Sequence, residues 1–237
     1  MDIRENSFWY KLKEKLVPVL VVIAVAILIW FAFGDKIPGL IPLLKEGDSQ
    51  KIADYLAQET GIKGVIAVVL LQAVQIASIV MPGMAIQVAA GLIYGWLEGF
   101  LMCYIGFVAS NLCVFLFARK MGSDRIRDVS MGRTSQWLLE KLNGTKPQFM
   151  VVVANMVPAV PNGIIPYIAA KTEISALDYV KAVAMGSWLQ ILLSCLAGQF
   201  IIKGQWLYTL LTVVFQFAVV LIILWKREWF IFYGQED

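Results

Sequence analysis

The sequence predicts an all-α polytopic membrane protein. The chain has 237 residues, of which 59% are hydrophobic and only 16% charged, and its mean hydropathy is +0.73. Several apolar stretches approach or exceed the roughly 18 residues that a membrane-spanning helix needs. Two further apolar stretches are interrupted by proline and glycine. We therefore predict about four transmembrane helices plus two oppositely oriented re-entrant helical hairpins, in an inverted-repeat, transporter-like arrangement.

The N-terminal region, 1–62, is expected to hold the first transmembrane helix and an interfacial segment. The apolar run 16–33 is long for a signal peptide, and no cleavage site of small residues follows it, so we interpret it as an uncleaved helix. A short helix capped by Asp48 or Ser49 and ending near Gly61 comes next. An amphipathic helix at the membrane surface and an ordinary loop helix both remain compatible with its pattern.

The first predicted hairpin covers 64–97. Its two apolar arms meet at Pro82 and Gly83, which break the helix. A full-length span, 100–118, follows it. The glycines of this region recur at intervals of four or seven residues, which predicts close packing between helices.

The second predicted hairpin covers 148–170 and contains Pro158, Pro161 and Pro166. Each proline removes a backbone donor and clashes with the preceding turn. The segment before the first proline is too short to cross roughly 30 Å of hydrocarbon. Two short arms that enter and leave on one side would solve this problem, provided that protein or water surrounds the broken backbone.

Two more spans are predicted, at roughly 179–202 and 206–225. The central domain is expected to cover 63–202 and contain both hairpins. The remaining residues, 203–237, form a C-terminal transmembrane helix and tail.

The distribution of positive charge predicts the orientation. If the N-terminus is cytoplasmic and each hairpin returns to its own side, the cytoplasmic segments contain 15 of the 20 Lys and Arg residues and the outer segments contain five. This bias agrees with the positive-inside rule. Both termini are therefore expected in the cytoplasm. Hairpins made of two full spans would give the same bias, so the charges do not distinguish the two geometries.

Neutral amides within the apolar segments are the candidate binding groups. Gln72, Gln75 and Gln87 belong to the first hairpin, and Asn155 and Asn162 flank the turn of the second. Ordinary helix-to-helix hydrogen bonding is the simplest role for any one of them. A cluster at both hairpin tips instead suggests a polar site between the tips.

The composition excludes several kinds of chemistry. The chain contains no histidine, which excludes His-ligated metals and Ser-His-Asp triads. Its three cysteines form no C-x-x-C pair, and we expect them to be packing residues. A net charge of +3 is too small to indicate nucleic-acid binding. We therefore expect neither an enzyme nor a cofactor.

The stretch 81–122 resembles the DedA family and the SNARE-associated Golgi protein (VTT-domain) superfamily of integral membrane proteins. Its matching elements include Pro82-Gly83, Ala90-Gly91 and the pattern Phe117-x-Arg119-x-x-Gly122. The second hairpin resembles the family in Pro158, Pro161, Asn162 and Tyr167. The resemblance extends over roughly 60–202. It implies two oppositely oriented re-entrant hairpins and a role in moving lipids between leaflets.

The chain departs from that family's pattern at its ionisable positions. Met84 stands where a glutamate often follows Pro-Gly, and Gln72 and Gln75 stand near an expected acidic residue. Asn155 occupies the place of a frequent arginine. The usual proton carriers are thus missing, which disfavours proton-coupled exchange.

The resulting prediction is a lipid translocase of a bacterial cell membrane that moves phospholipid or polyprenyl-phosphate lipid. The five amides would bind the head group. Arg119, where a helix meets the cytoplasm, would attract anionic head groups. The alternatives are a small-solute or ion transporter on the same scaffold, and a structural membrane organiser acting through the basic loop 119–147. The expected partners are membrane lipids, and a homo-oligomer is also compatible with the sequence.

Overall fold

A computed structural model of the chain describes residues 23–31, 34–36, 38–39, 41–42, 49–78, 83–121, 147–156 and 161–225. These residues form helices joined by turns, with no strand among them. Of the predicted helix breakers, Pro82 and Pro158 lie outside the described residues, as does most of the basic loop 119–147.

The helices are numbered in chain order. Residues 23–31, the described part of the predicted first span, form α1. The others are α2 (Ser49–Ser78), α3 (Gly83–Tyr94), α4 (Trp96–Met121), α5 (Pro147–Met156), α6 (Ile165–Ala169), α7 (Ala176–Ile202) and α8 (Trp206–Trp225). A 3-10 turn, Asn162–Ile164, precedes α6.

The expected short helix of the N-terminal region begins at Ser49 and breaks at Gly61, as predicted. Gly61 has φ 44° and ψ −130°, a conformation that only glycine adopts readily. The chain then resumes as a helix, so this segment and the first arm of the hairpin are two parts of one kinked element. The second part, Gly61–Ser78, is long and apolar enough to cross a membrane.

Three helices in the described residues meet the length and composition of a membrane span: Gly61–Ser78, Trp96–Met121 and Ala176–Ile202. Gly83–Tyr94 and Pro147–Met156 are apolar but short. At 1.5 Å per residue their 12 and 10 residues extend about 18 and about 15 Å. These two lengths agree with the short arms expected of re-entrant hairpins. The other arm of the first predicted hairpin, Gly61–Ser78, is instead long enough to cross a membrane, and the re-entrant geometry itself stays a prediction.

The central helix is α7, which packs against α3, α4, α5 and α8. Of its best 18-residue window, 56% is buried, compared with 33% for each of the other two candidate spans. The helix is capped at its start by the Ser175 hydroxyl, which accepts a hydrogen bond from the Asp178 amide at 3.1 Å. The helix pairs of the two predicted hairpins, α2–α3 (the first hairpin) and α5–α6 (the second hairpin), therefore both contact one buried helix, α7, through α3 and α5.

The predicted glycine packing is confirmed where α3 crosses α7. A Cβ on Gly91 would fall on the backbone carbonyl of Cys195, and one on Gly198 would fall on that of Val88. The Cys195 thiol donates a hydrogen bond to the Gln87 carbonyl at 3.3 Å. This close approach brings the second arm of the first hairpin against the central helix.

Candidate functional site

The three glutamines of the first hairpin all point into the protein. Gln72 and Gln75 on α2 and Gln87 on α3 are between 0% and 2% exposed. A Cβ on Gly83 would lie 3.1 Å from the side-chain carbonyl atoms of Gln75. Gly83 therefore leaves room for this amide, in addition to starting α3 after the break.

Most polar atoms of these three side chains have no hydrogen-bond partner within the described residues. Both amide atoms of Gln87 are buried and unpartnered, as is Oε1 of Gln75. The amide atoms of Gln72 are buried and form no hydrogen bond of ordinary geometry, although the Cys103 thiol lies beside this side chain. Buried polar atoms in folded proteins are nearly always paired, and an exception needs a specific explanation. Leaving each group unpaired costs about 1–3 kcal/mol. The first hairpin thus holds unused donors and acceptors in an apolar surrounding.

The second hairpin also contains buried polar atoms without hydrogen-bond partners, but fewer of them. Asn155, fully buried on α5, donates from Nδ2 to the Val151 carbonyl at 2.8 Å, while its Oδ1 has no partner. Its Cβ packs against Gly186 of α7. Asn162 is half-buried in the 3-10 turn, and its Oδ1 is buried and unpartnered.

The two hairpins meet at the end of α2. The 3-10 turn packs against α2, and the Tyr167 hydroxyl on α6 donates to the Ala77 carbonyl at 3.1 Å. Pro166 is buried in the first turn of α6, where a backbone N–H would have no partner within the helix, so that its absence loses no helical hydrogen bond. Pro161 is exposed at the start of the 3-10 turn. Asn162 and Gln75 therefore lie on elements in direct contact, whereas Asn155 is held against the central helix.

Arg119 has a structural task in addition to any contact with lipid. Its Nη2 donates to the carbonyls of Thr172 and Ile174 at 2.8 and 2.7 Å. Its guanidinium lies over the Phe115 ring, 4.4 Å from the centroid. These contacts connect the segment after the second hairpin to α4. Within the described residues, Arg119 contacts none of the five amide side chains.

The contacts of Arg119 with Thr172, Ile174 and Phe115 form the Arg119 clamp. Further contacts between α4 and α7 adjoin this clamp, and the sequence did not predict them. The Phe115 ring stacks on Tyr179 of α7 with centroids 4.3 Å apart. The Tyr179 hydroxyl donates to Oδ1 of Asn111 at 2.9 Å, and Nδ2 of Asn111 donates to the Phe107 carbonyl at 3.0 Å. The signal available was the four-residue spacing of Asn111, Phe115 and Arg119, which places them on one helix face.

An apolar cleft of about 290 Å³ lies beside the glutamines. It is bounded by α1, α2 and α3, and its walls are almost entirely apolar. Its lining includes Val25, Leu71 and Ile86. Leu71 and Ile86 are the chain neighbours of Gln72 and Gln87, so the cleft and the buried amides occupy adjoining faces of the same two helices.

The described residues contain no group of three or more His, Cys, Asp or Glu side chains able to hold a metal ion. The groups at the candidate site are neutral amides, which can donate and accept hydrogen bonds but do not exchange protons near neutral pH. Such amides can bind a polar group by donating and accepting hydrogen bonds.

Comparison with known proteins identifies the domain. A family model, the VTT domain, matches residues 81–200, which is half of the chain and runs from the turn of the first hairpin to near the end of α7. The chain belongs to the VTT-domain family. The match includes α3 to α7, and with the three candidate spans it identifies a helical membrane protein and confirms the resemblance drawn from the sequence. Neither the curated proteins nor the solved structures yield a significant match.

Proposed function

We propose that this VTT-domain protein moves lipids between the leaflets of a membrane, with the head group bound by the buried amides of the two hairpins. The observation that carries the proposal is the set of unpartnered polar atoms on Gln72, Gln75, Gln87, Asn155 and Asn162. A head group with phosphate oxygens and hydroxyl groups supplies both the acceptors and the donors that such amides lack. Binding would therefore offset the cost of burying them.

The apolar cleft supports a lipid as the substrate rather than a small solute. A solute path through a membrane needs polar walls along its length. Here the space beside Gln72 and Gln87 is about 290 Å³ and lined by apolar groups. Acyl or prenyl tails would remain in this cleft or in the surrounding lipid while the head group passes along the amides.

The chemistry of the amides favours passive exchange over proton-coupled exchange. None of the five side chains can carry a proton across the membrane at neutral pH. The exchange should therefore run in both directions and be insensitive to a pH gradient. The Arg119 clamp, which fixes the exit of the second hairpin, would act as a positioning element and not as a carrier.

Leaflet exchange in vesicles tests the proposal. The purified protein is reconstituted with a head-group-labelled phospholipid or a labelled polyprenyl phosphate, and the label accessible to an impermeant quencher is followed. We expect at least one lipid to exchange faster than in protein-free vesicles, equally with and without a pH gradient. A solute trapped in the same vesicles should be retained.

Two results would contradict this proposal. Release of the trapped solute without lipid exchange would favour the small-solute or ion transporter. Failure of both lipids to exchange, with protein shown to be folded, would leave a structural membrane organiser as the better interpretation.

A further inference from the structure

Cys103 and Cys195 form a buried pair of thiols where four helices meet. Cys103 lies on α4 and Cys195 on α7, and both side chains are fully buried. The two thiols are within hydrogen-bonding reach of each other. The Cys103 thiol also lies beside the Gln72 amide of α2, and the Cys195 thiol donates to the Gln87 carbonyl of α3 at 3.3 Å. The proposed function uses neither thiol.

The helix backbones approach one another closely around this pair. The spacing of Gly99, Cys103 and Gly106 places all three on one face of α4. A Cβ on Gly99 would lie 2.8 Å from the backbone of α3, and one on Gly106 would lie 3.2 Å from that of α2. A Cβ on Gly91 of α3 would meet the backbone of Cys195. This packing holds the two thiols side by side.

We propose that Cys103 and Cys195 are a modification site, at which a lipid-soluble quinone oxidises the two thiols to a disulfide that links α4 to α7. The two S–H bonds break and one S–S bond forms. The two electrons and two protons pass to the quinone, which becomes a quinol. The sulfurs must approach to about 2.0 Å, and thiols already in reach of each other need no cavity or ligand between them.

The position of the pair favours a quinone over an oxidant of the aqueous phase. Both cysteines lie on helices long and apolar enough to cross a membrane. A charged oxidant such as glutathione disulfide would have to leave water to reach them, which is costly, whereas an uncharged quinone dissolves in hydrocarbon. The apolar cleft of about 290 Å³ reaches Ala90, and the next residue, Gly91, meets the backbone of Cys195. A quinone in this cleft would therefore lie on a face of α3 that adjoins the pair.

The disulfide would also restrain the amide site, a consequence that rests on the proposed function. The amide atoms of Gln72 and Gln87 are buried in the packed protein, so a head group can reach them only when helices move apart. A bond between Cys103 and Cys195 would hold α4 and α7 together beside these amides. We therefore expect the oxidised protein to exchange lipid several-fold more slowly than the reduced protein.

Thiol counting in lipid nanodiscs tests the site directly. The chain contains three cysteines, and Cys113→Ser removes the exposed one. This variant is treated with a fully substituted benzoquinone, which has no free ring position to which a thiol could add. We expect the thiols that can be alkylated after denaturation to fall from two to none, with a mass loss of two hydrogen atoms. Peptide mapping should find residues 103 and 195 joined, and a phosphine reductant should restore both thiols.

The matched control moves one cysteine to another face of α7. Leu193 is buried and lies at the small cavity shared with α5 and α8. The variant Cys113→Ser/Cys195→Ala/Leu193→Cys should retain both thiols under the same treatment. Two free thiols in the treated Cys113→Ser protein would overturn the proposal, as would equal cross-linking in the control. Peptide mapping of the treated wild-type protein gives the same test if the control fails to fold.

Lipid exchange in the same treated samples separates this inference from the proposed function. Exchange that slows on oxidation and recovers on reduction would support the restraint, and unchanged exchange by cross-linked protein would overturn it. Cys103→Ser cannot form the bond, so its exchange should not respond to the quinone. Absence of exchange before oxidation would count against the proposed function alone, because the thiol count does not depend on transport.

Discussion

At the scale of single residues, the buried amides of the first hairpin work against stability. Gln87 is fully buried on α3, and neither of its amide atoms has a partner within the described residues. Replacing it by leucine, which has a similar volume, removes two unpaired polar atoms from an apolar surrounding. We expect Gln87→Leu to raise the free energy of unfolding by about 1 kcal/mol, measured by denaturant titration in detergent.

Asn111 provides the matched control, because it is equally buried and both of its amide atoms are paired. Asn111→Leu should lower the free energy of unfolding by about 1–3 kcal/mol, since the Tyr179 hydroxyl would lose its acceptor. If Gln87→Leu destabilised the protein as much as Asn111→Leu, the unpaired state of Gln87 would be disproved.

The Arg119 clamp also makes a prediction for a single residue. The guanidinium donates to two carbonyls and lies over the Phe115 ring. Lysine keeps the charge but lacks the planar guanidinium, which can donate to both carbonyls and lie over the ring at the same time. We expect Arg119→Lys to lower the free energy of unfolding by about 1–3 kcal/mol. The neighbouring exposed cation gives the control: Lys120→Ala should change the value by less than about 0.5 kcal/mol, and equal effects would contradict the clamp.

At this scale the sequence predicts part of the site. The burial of Gln72, Gln75 and Gln87 follows from their place in apolar runs, because an amide in a membrane segment is less costly inside the protein than against lipid. The sequence does not reveal that Arg119 is bonded to the chain after the second hairpin. That contact joins residues more than 50 positions apart, and no local pattern encodes the partner.

At the scale of the helices, α3 and α7 cross with their backbones in close contact at Gly91. A methyl group at Gly91 would meet the backbone of Cys195, which cannot move aside as a side chain can. Gly91→Ala should therefore lower the free energy of unfolding by about 1–3 kcal/mol. Gly106→Ala is the graded control, because its methyl group would lie 3.2 Å from the nearest atom of Val69. Equal effects of the two substitutions would contradict the described crossing.

The positions of the helices are well predicted by the sequence, because the length and apolar content of a segment determine whether it forms a helix. The predicted span 179–202 is α7 with three more residues at its start. The predicted segment 206–225 has the bounds of α8, but its part Trp206–Val219 counts only as a shorter apolar helix, so that its crossing of the membrane stays a prediction. The second arm of the second hairpin is less regular than expected. It is a 3-10 turn followed by the five residues of α6. Pro161 precedes the 3-10 turn and Pro166 lies in the first turn of α6, but neither proline specifies which type of helix follows it.

At the scale of the whole molecule, one buried helix organises two broken elements. The central helix α7 contacts α3 of the first hairpin and α5 of the second, while the 3-10 turn of the second hairpin contacts α2. The amides of both hairpins are consequently held inside one packed unit. Polar groups inside a membrane protein face the interior of the bundle and mark its functional part. That α3 of one hairpin and α5 of the other pack on α7 could not be deduced from the separate segments, because these contacts join positions far apart in the chain.

The rate of lipid exchange in amide variants tests whether the buried amides bind the head group during transport. Gln72→Leu and Asn155→Leu each remove one buried amide, on different hairpins. Gln148→Leu removes an exposed amide at the start of α5 and serves as the control. With equal amounts of folded protein in the vesicles, we predict that each of the first two lowers the exchange rate about tenfold, the effect of losing roughly one hydrogen bond to the head group. We predict that Gln148→Leu retains the wild-type rate. Wild-type exchange by Gln72→Leu and Asn155→Leu would contradict the account.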